Sequence, residues 1–304
     1  MSWVMVMEQE ILALLPEEVG EAVKSIPEPI EEIRLRAGRP ASVVLAGGER
    51  FLAQNGRLIP VDQPSIARVV ERAAGYSVYA VQDSLSRGYC ILPGGHRLGV
   101  CGRRTTDREG RSAMVDFTSV DLRVARQIRG LADPVTDLLW QNPASTLILG
   151  APGSGKTTLL RDLIRQLSDR FHQRVSVVDE RGELGAVVDG TPRLDLGRST
   201  DILTGCGKEE GVYLLLRAMN PQWIALDEIS CAGDLAAVER ASYCGIRFLA
   251  TVHGWDREDL VRRPLYRRLM DARIFSNLIT IDQARGLHTE RMDLTWRSNG
   301  SAQR

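Results

Sequence analysis

Apolar residues follow two different rhythms along the chain. In the first part they come in short groups separated by turn residues. Glu8 to Leu15 and Glu17 to Lys24 carry apolar positions at helical spacing, with Pro16 between them. Glu31 to Arg36 then alternates charged and apolar residues, the period of a half-exposed strand. Gly38-Arg39-Pro40 turns the chain into Ala41 to Leu45, and Gly47-Gly48 turns it again into Glu49 to Leu52, which predicts a meander. Pro64 to Ala74 and Val78 to Leu85 read as helices. Arg87 to Leu92 and Arg97 to Cys101 flank Pro93-Gly94-Gly95-His96, a hairpin signal. Residues 1–130 are therefore expected to form an α+β domain with a curved antiparallel sheet. Residues 131–144 are expected to be a linker, with Val135 to Trp140 as a short helix inside it.

From Ser145 the rhythm changes. Short, wholly apolar runs alternate with amphipathic stretches, the pattern of a parallel sheet covered by helices. Strands are predicted at Thr146 to Leu149, Arg174 to Val178, Trp223 to Leu226 and Arg247 to Thr251. Helices are predicted at Lys156 to Asp169, Glu209 to Met219, Ala232 to Cys244 and Asp259 to Met270. Asn277 to Ile281 and Arg291 to Trp296 would close the sheet as a hairpin. This second domain is expected over 145–297, with 298–304 as a disordered polar tail.

The first strand of that second pattern runs into Gly150-Ala151-Pro152-Gly153-Ser154-Gly155-Lys156-Thr157-Thr158, which fits G-x-x-x-x-G-K-[ST] with a strand before and a helix after. Glycines let successive backbone N–H groups curl around a phosphate, and the helix N-terminus adds partial positive charge. Lys156 would reach the β- and γ-phosphates, and the Thr157 hydroxyl would hold Mg²⁺. This is the signature of a nucleotide-phosphate site.

In parallel α/β sheets, ligands gather at the carboxyl ends of the strands. Trp223 to Leu226 runs into Asp227-Glu228 about seventy residues after the P-loop, as a Walker-B element does. There Asp227 would help to hold Mg²⁺ and Glu228 would orient the attacking water. Arg174 to Val178 runs into Asp179-Glu180-Arg181-Gly182-Glu183, where crowded carboxylates call for a cation or for donors among them. Leu249 to Gly254 ends a strand in His253, a candidate γ-phosphate sensor. Arginines crowd 97–129, and two readings stay open: a solvated connector, or arginine fingers, with Arg123 and Arg126 nearest the linker.

Composition narrows the class. The chain of 304 residues is 43% hydrophobic and 26% charged with zero net charge, which suits two ordinary domains and argues against a general nucleic-acid coat or a basic membrane-surface protein. Five cysteines without a CxxC pair point to reduced thiols rather than a disulfide framework or zinc ribbon. No apolar run reaches the length of a membrane span, and Met1 to Met7 lacks the basic n-region of a signal peptide. Only Lys24, Lys156 and Lys208 are lysines.

The order of P-loop, acidic box at Asp179 to Glu183, Asp227-Glu228 and Thr251-Val252-His253 resembles the secretion ATPases of type II and type IV pilus systems. Glu32 to Pro40 and Gly94 to Arg103 are similar to the stage III sporulation AA family, the compact branch of that superfamily. The resemblance implies an α/β fold: a RecA-like P-loop ATPase core with a smaller N-terminal α+β domain like the second domain of secretion ATPases. It implies an ATP- and Mg²⁺-dependent ATPase working as a ring, usually a hexamer. It further implies a cytoplasmic, mother-cell protein, peripheral to the inner membrane and docked on the cytoplasmic face of a membrane-embedded channel complex during sporulation. Glu180 and Glu183 would then support the catalytic water. The four-cysteine zinc motif of many type II relatives is absent, and Ser230 stands where larger relatives often carry arginine. Two other readings stay open: a nucleic-acid translocase or loader, drawing on the arginine cluster, and a scaffold gated by nucleotide binding alone.

Overall fold

The computed structural model describes residues 3–292 apart from 76–84, 87, 108, 111, 126, 189, 283 and 285. The chain divides into two compact units, residues 1–125 with 188–193, and residues 126–187 with 194–304.

The N-terminal unit begins with helices α1 (Trp3–Leu14) and α2 (Glu17–Lys24). Strands β1 (Glu32–Arg36), β2 (Ser42–Leu45) and β3 (Gly48–Phe51) follow, then α3 (Gln63–Ala73) and strands β4 (Tyr89–Ile91), β5 (Arg97–Thr106) and β6 (Ser112–Arg123). Their sheet has the order β3-β2-β1-β6-β5-β4, all antiparallel. Alternation does the sorting in β1. Ile33 and Leu35 are buried, with Val43, Leu98, Val120 and Leu122 in the same core, while Arg34 turns outward to Glu32 at 2.7 Å. Helix α3 closes that core with Ile66, Val69 and Val70, and Asp62 caps its N-terminus by accepting from the Ser65 N–H at 2.9 Å. The helix expected at Val78 to Leu85 lies almost wholly outside the described residues.

The C-terminal unit is a seven-stranded sheet. Its strands are β7 (Thr146–Gly150), β8 (Val175–Asp179), β9 (Thr200–Thr204), β10 (Trp223–Glu228), β11 (Arg247–His253), β12 (Asn277–Ile281) and β13 (Leu287–Arg291), in the order β9-β8-β10-β11-β7-β12-β13. All neighbours are parallel except the terminal β12–β13 pair. Helices α4 (Asp133–Gln141), α5 (Lys156–Asp169), α6 (Lys208–Ala218), α7 (Ala232–Ser242), α8 (Arg257–Arg262) and α9 (Pro264–Asp271) accompany it. Strands β7 and β8 are buried along their whole length, which is why their sequences are mostly apolar rather than alternating. Because these strands run parallel, each delivers its last residues to the same end of the sheet.

Several elements differ from the sequence reading: strand β6, which pairs with both β1 and β5, was read only as part of an arginine-rich connector. The helix expected over Asp259 to Met270 is two helices, because Pro264 lacks the N–H that a continuous helix needs and opens α9 instead. Among the described residues the last strand is Leu287–Arg291, antiparallel to β12; of the strand expected at Arg291 to Trp296, residues 293–296 lie outside the described residues. The Asp282 carboxylate accepts from the Gly286 N–H at 2.7 Å and contacts His288 at 2.8 Å, which ties the end of β12 to the start of β13. Strand β9, whose sequence Thr-Asp-Ile-Leu-Thr is half polar, adds an edge beside β8 that periodicity did not reveal. The expected polar tail at 298–304 lies outside the described residues.

Candidate phosphate-binding site

The P-loop leaves β7 at Gly150 and enters α5 at Lys156, with Gly153 and Gly155 in the left-handed region at φ 74° and 99°. A Cβ on Gly150 would lie 2.4 Å from Ser154 Oγ, so the loop can curl this tightly only over glycine. Ser154 Oγ is buried and has no hydrogen-bond partner among the described residues. The Lys156 ammonium, on a side chain 6% exposed, donates to the carbonyls of Gly150 at 2.8 Å and Ala151 at 2.7 Å. It thus lies at the mouth of the loop.

Thr157 Oγ1 donates to Asp227 Oδ1 at 3.1 Å. Asp227 is the extra residue of a β-bulge: Leu226 pairs with Ala250, whereas Glu228 already pairs with Thr251. The Thr251 hydroxyl donates to the Asp227 carbonyl and fixes the bulge from the next strand. Burial pushes the Asp227 carboxyl up to about 7, helped by the nearby Glu183 charge and opposed by the Thr157 hydrogen bond. Glu228 points elsewhere, 3.3 Å from His253 Nε2 and 3.6 Å from Arg181 Nη1. His253 is placed by sheet register, opposite Gly150 at the end of β11. Burial, and then the Lys156 charge, hold its imidazole below the usual range, so neutral imidazole is favoured.

The acidic box separates into different tasks. Asp179 is buried, and its two oxygens accept from the Leu184 N–H at 3.1 Å and the Gly185 N–H at 2.8 Å, so it shapes the turn. Glu183 stands near enough to Asp227 and Asp179 to raise both carboxyls. Glu180 is not gathered with them; its carboxylate meets Lys208 Nζ at 2.5 Å. Arg123 is exposed at the end of β6, in the N-terminal unit, and Arg126 lies outside the described residues.

Sequence reasoning passed over four residues that the fold brings here. Arg161, on the buried helix α5, donates to the Glu183 carbonyl at 3.4 Å and sets a positive charge among Asp227, Asp179 and Glu183. Its signal was a charged side chain within an apolar helical stretch. Thr251 was legible only as part of the His box. Arg181 was legible only as part of the acidic box, and Lys208 only as one of three lysines.

These residues fit a nucleoside triphosphate with a divalent cation. The glycine cradle, the orphaned Ser154 hydroxyl and the buried ammonium suit phosphate oxygens, and the Thr157–Asp227 pair offers two oxygen ligands at the edge of that cradle. No group of three or more His, Cys, Asp or Glu that could hold a metal exists among the described residues. Phosphate oxygens would therefore complete the coordination.

The profile of a family described as Sporulation stage III, protein AA, matches residues 6–291. The chain belongs to that family. Stage III sporulation protein AA of Bacillus subtilis (strain 168) is 35% identical over 286 residues, covering 91% of this chain and 92% of its own. The fold of this stage III AA family member extends to solved ATPase structures. Legionella pneumophila ATPase DotB superposes with a TM-score of 0.57 at 17% identity, over 89% of this chain and 79% of its own. The pilus retraction motor PilT with bound ADP gives 0.59 at 18% identity, over 93% and 86%. The fold is thus the α/β, RecA-like P-loop fold of these two structures, and the family's description adds a sporulation context. Among the described residues no helix is long and apolar enough to cross a membrane.

Proposed function

We propose that this chain is a Mg²⁺-dependent ATPase that couples hydrolysis to mechanical work in a ring, as a motor for a membrane-embedded, secretion-like complex during sporulation. The observation that carries the reading is the Thr157–Asp227 contact at the edge of the P-loop, with Glu228 next in the chain and held by His253. ATP phosphates would be cradled by the backbone from Gly150 to Thr158, and Lys156 would exchange its loop carbonyls for phosphate oxygens. Thr157 and Asp227 would hold Mg²⁺, which neutralises developing phosphate charge when bound. Glu228 would orient and polarise the attacking water, with Glu183 in support, and His253 would report the γ-phosphate by hydrogen bonding. Arg123 and Arg126 are the arginine-finger candidates. The sporulation relative and the two ATPase folds support this reading, and a retraction motor among them supports mechanical coupling. A hexameric, cytoplasmic ring docked on the complex is the assembly that goes with it.

Steady-state ATP hydrolysis, beside Lys156→Ala and Glu228→Gln and with oligomeric state followed in the same samples, tests the proposal. A wild type that turns over, two inactive variants, and a Glu228→Gln ring that retains ATP sustain it. A background rate untouched by either variant leaves only nucleotide-gated assembly.

A further inference from the structure

Lys208 is one of three lysines in a chain whose 39 basic residues are otherwise all arginine. Its side chain is 5% exposed, and its ammonium stands 2.5 Å from Glu180 and 3.8 Å from Asp234. Burying an ammonium costs several kcal/mol unless good partners surround it, so packing alone would favour an apolar residue here. Helix formation does not ask for it either. Lys208 is the first residue of α6, where the helix dipole disfavours a cation.

Its partners show what the cation connects. Glu180 directly precedes Arg181, whose guanidinium reaches Glu228 at 3.6 Å. The same Asp234 oxygen that faces Lys208 accepts from the N–H groups of Ser230 at 2.9 Å and Cys231 at 3.2 Å, in the segment that follows Glu228. A compact ammonium can sit between two carboxylates that approach from different elements, whereas the planar fork of arginine is shaped for one.

We propose that Lys208 is a positioning residue: it ties the turn bearing Glu180 and Arg181 to the segment after Glu228, and so sets Arg181 against the Glu228 carboxylate. Glu180 then acts through Lys208 rather than on the catalytic water. The inference rests on the ATPase reading above, and its test separates the two.

Lys208→Met keeps the length of the side chain and removes its charge. With the full chain, ATP hydrolysis and hydrogen–deuterium exchange of residues 179–185 are measured together. Lys208→Met is expected to lower kcat about tenfold while the KM for ATP stays within about threefold, as misorientation without lost binding does. Exchange in 179–185 is expected to rise. Arg181→Ala added to Lys208→Met is expected to cost little more than either change alone, because both remove one arrangement. Unchanged exchange, a wild-type kcat, or losses that multiply with Arg181→Ala would overturn the proposal. Glu180→Gln cuts the same tie from its exposed end and must reproduce the pattern, which keeps the test decisive if Lys208→Met does not fold. A wild type with no hydrolysis removes the ATPase reading, and exchange in 179–185 still decides whether Lys208 holds the turn.

Discussion

Thr157 Oγ1 and Asp227 Oδ1, seventy residues apart in sequence, meet at 3.1 Å across the edge of the sheet. A hydroxyl and a carboxylate oxygen at that separation are placed to share one cation. Thr157→Ala is expected to lower Mg²⁺-supported hydrolysis about 100-fold, and Thr157→Ser, which keeps the oxygen, to retain most of it. A Mg²⁺ titration of the rate checks this. Identical Mg²⁺ dependence in the alanine variant would take Thr157 out of the cation site.

Asp227 makes the site a burden on stability. Its carboxyl titrates at about 7 in the fold, raised first by burial, against about 3.9 in an unfolded chain. The fold holds this proton more tightly than the unfolded chain does. That contribution is full below about pH 4 and is lost as pH rises to about 7. Asp227→Asn, which cannot ionise, should be more stable than wild type at pH 8 without nucleotide, by about 1–3 kcal/mol, and should not hydrolyse ATP. Urea unfolding at pH 8 and pH 4 reads both limits. An asparagine variant less stable than wild type at pH 8 would contradict the assignment.

Glu228 and His253 should separate chemistry from sensing. Glu228→Gln is expected to lose about 10²- to 10⁴-fold in rate and to keep its nucleotide, since only the oriented base is removed. His253→Ala is expected to lose less rate, together with much of its preference for ATP over ADP. Single-turnover hydrolysis and competition binding distinguish the two. Equal affinity ratios in His253→Ala and wild type would end the sensor role.

His96 gives the N-terminal unit its own acid sensitivity. The ring is 1% exposed, its Nδ1 accepts from the Ala125 N–H at 3.0 Å, and burial pushes its pKa down to about 4. The unfolded chain, with a pKa near 6.5, takes up the proton first as pH falls. Stability should therefore decline between about pH 6.5 and pH 4 by up to about 3 kcal/mol and level off below that. His96→Gln keeps an acceptor and cannot be protonated, so its stability should stay flatter over the same range. Parallel slopes in urea unfolding would show that other groups carry the acid response.

What could be read from the sequence was what is local. Gly150 to Thr158 announces itself because the loop, its glycines and its lysine are contiguous. Asp227-Glu228 and His253 were legible because wholly apolar strands frame them. Lys208 and Glu180 are 28 residues apart, and nothing near either one signals the other. Asp179 and Glu180 look alike in sequence, yet one is consumed by the Leu184 and Gly185 amides and the other by Lys208. Pro264 was a legible helix break that an otherwise good helical pattern obscured.

The bulge at Asp227 carries a consequence for how this chain can vary. Asp227 is surplus to the ladder, so it is set beside Thr157 while Glu228 keeps its place in the pairing with β11 and meets His253. The site therefore depends on counting as well as on chemistry. Exchanging Asp227 and Glu228 would keep the acidity of the strand end while handing each carboxylate the other's task.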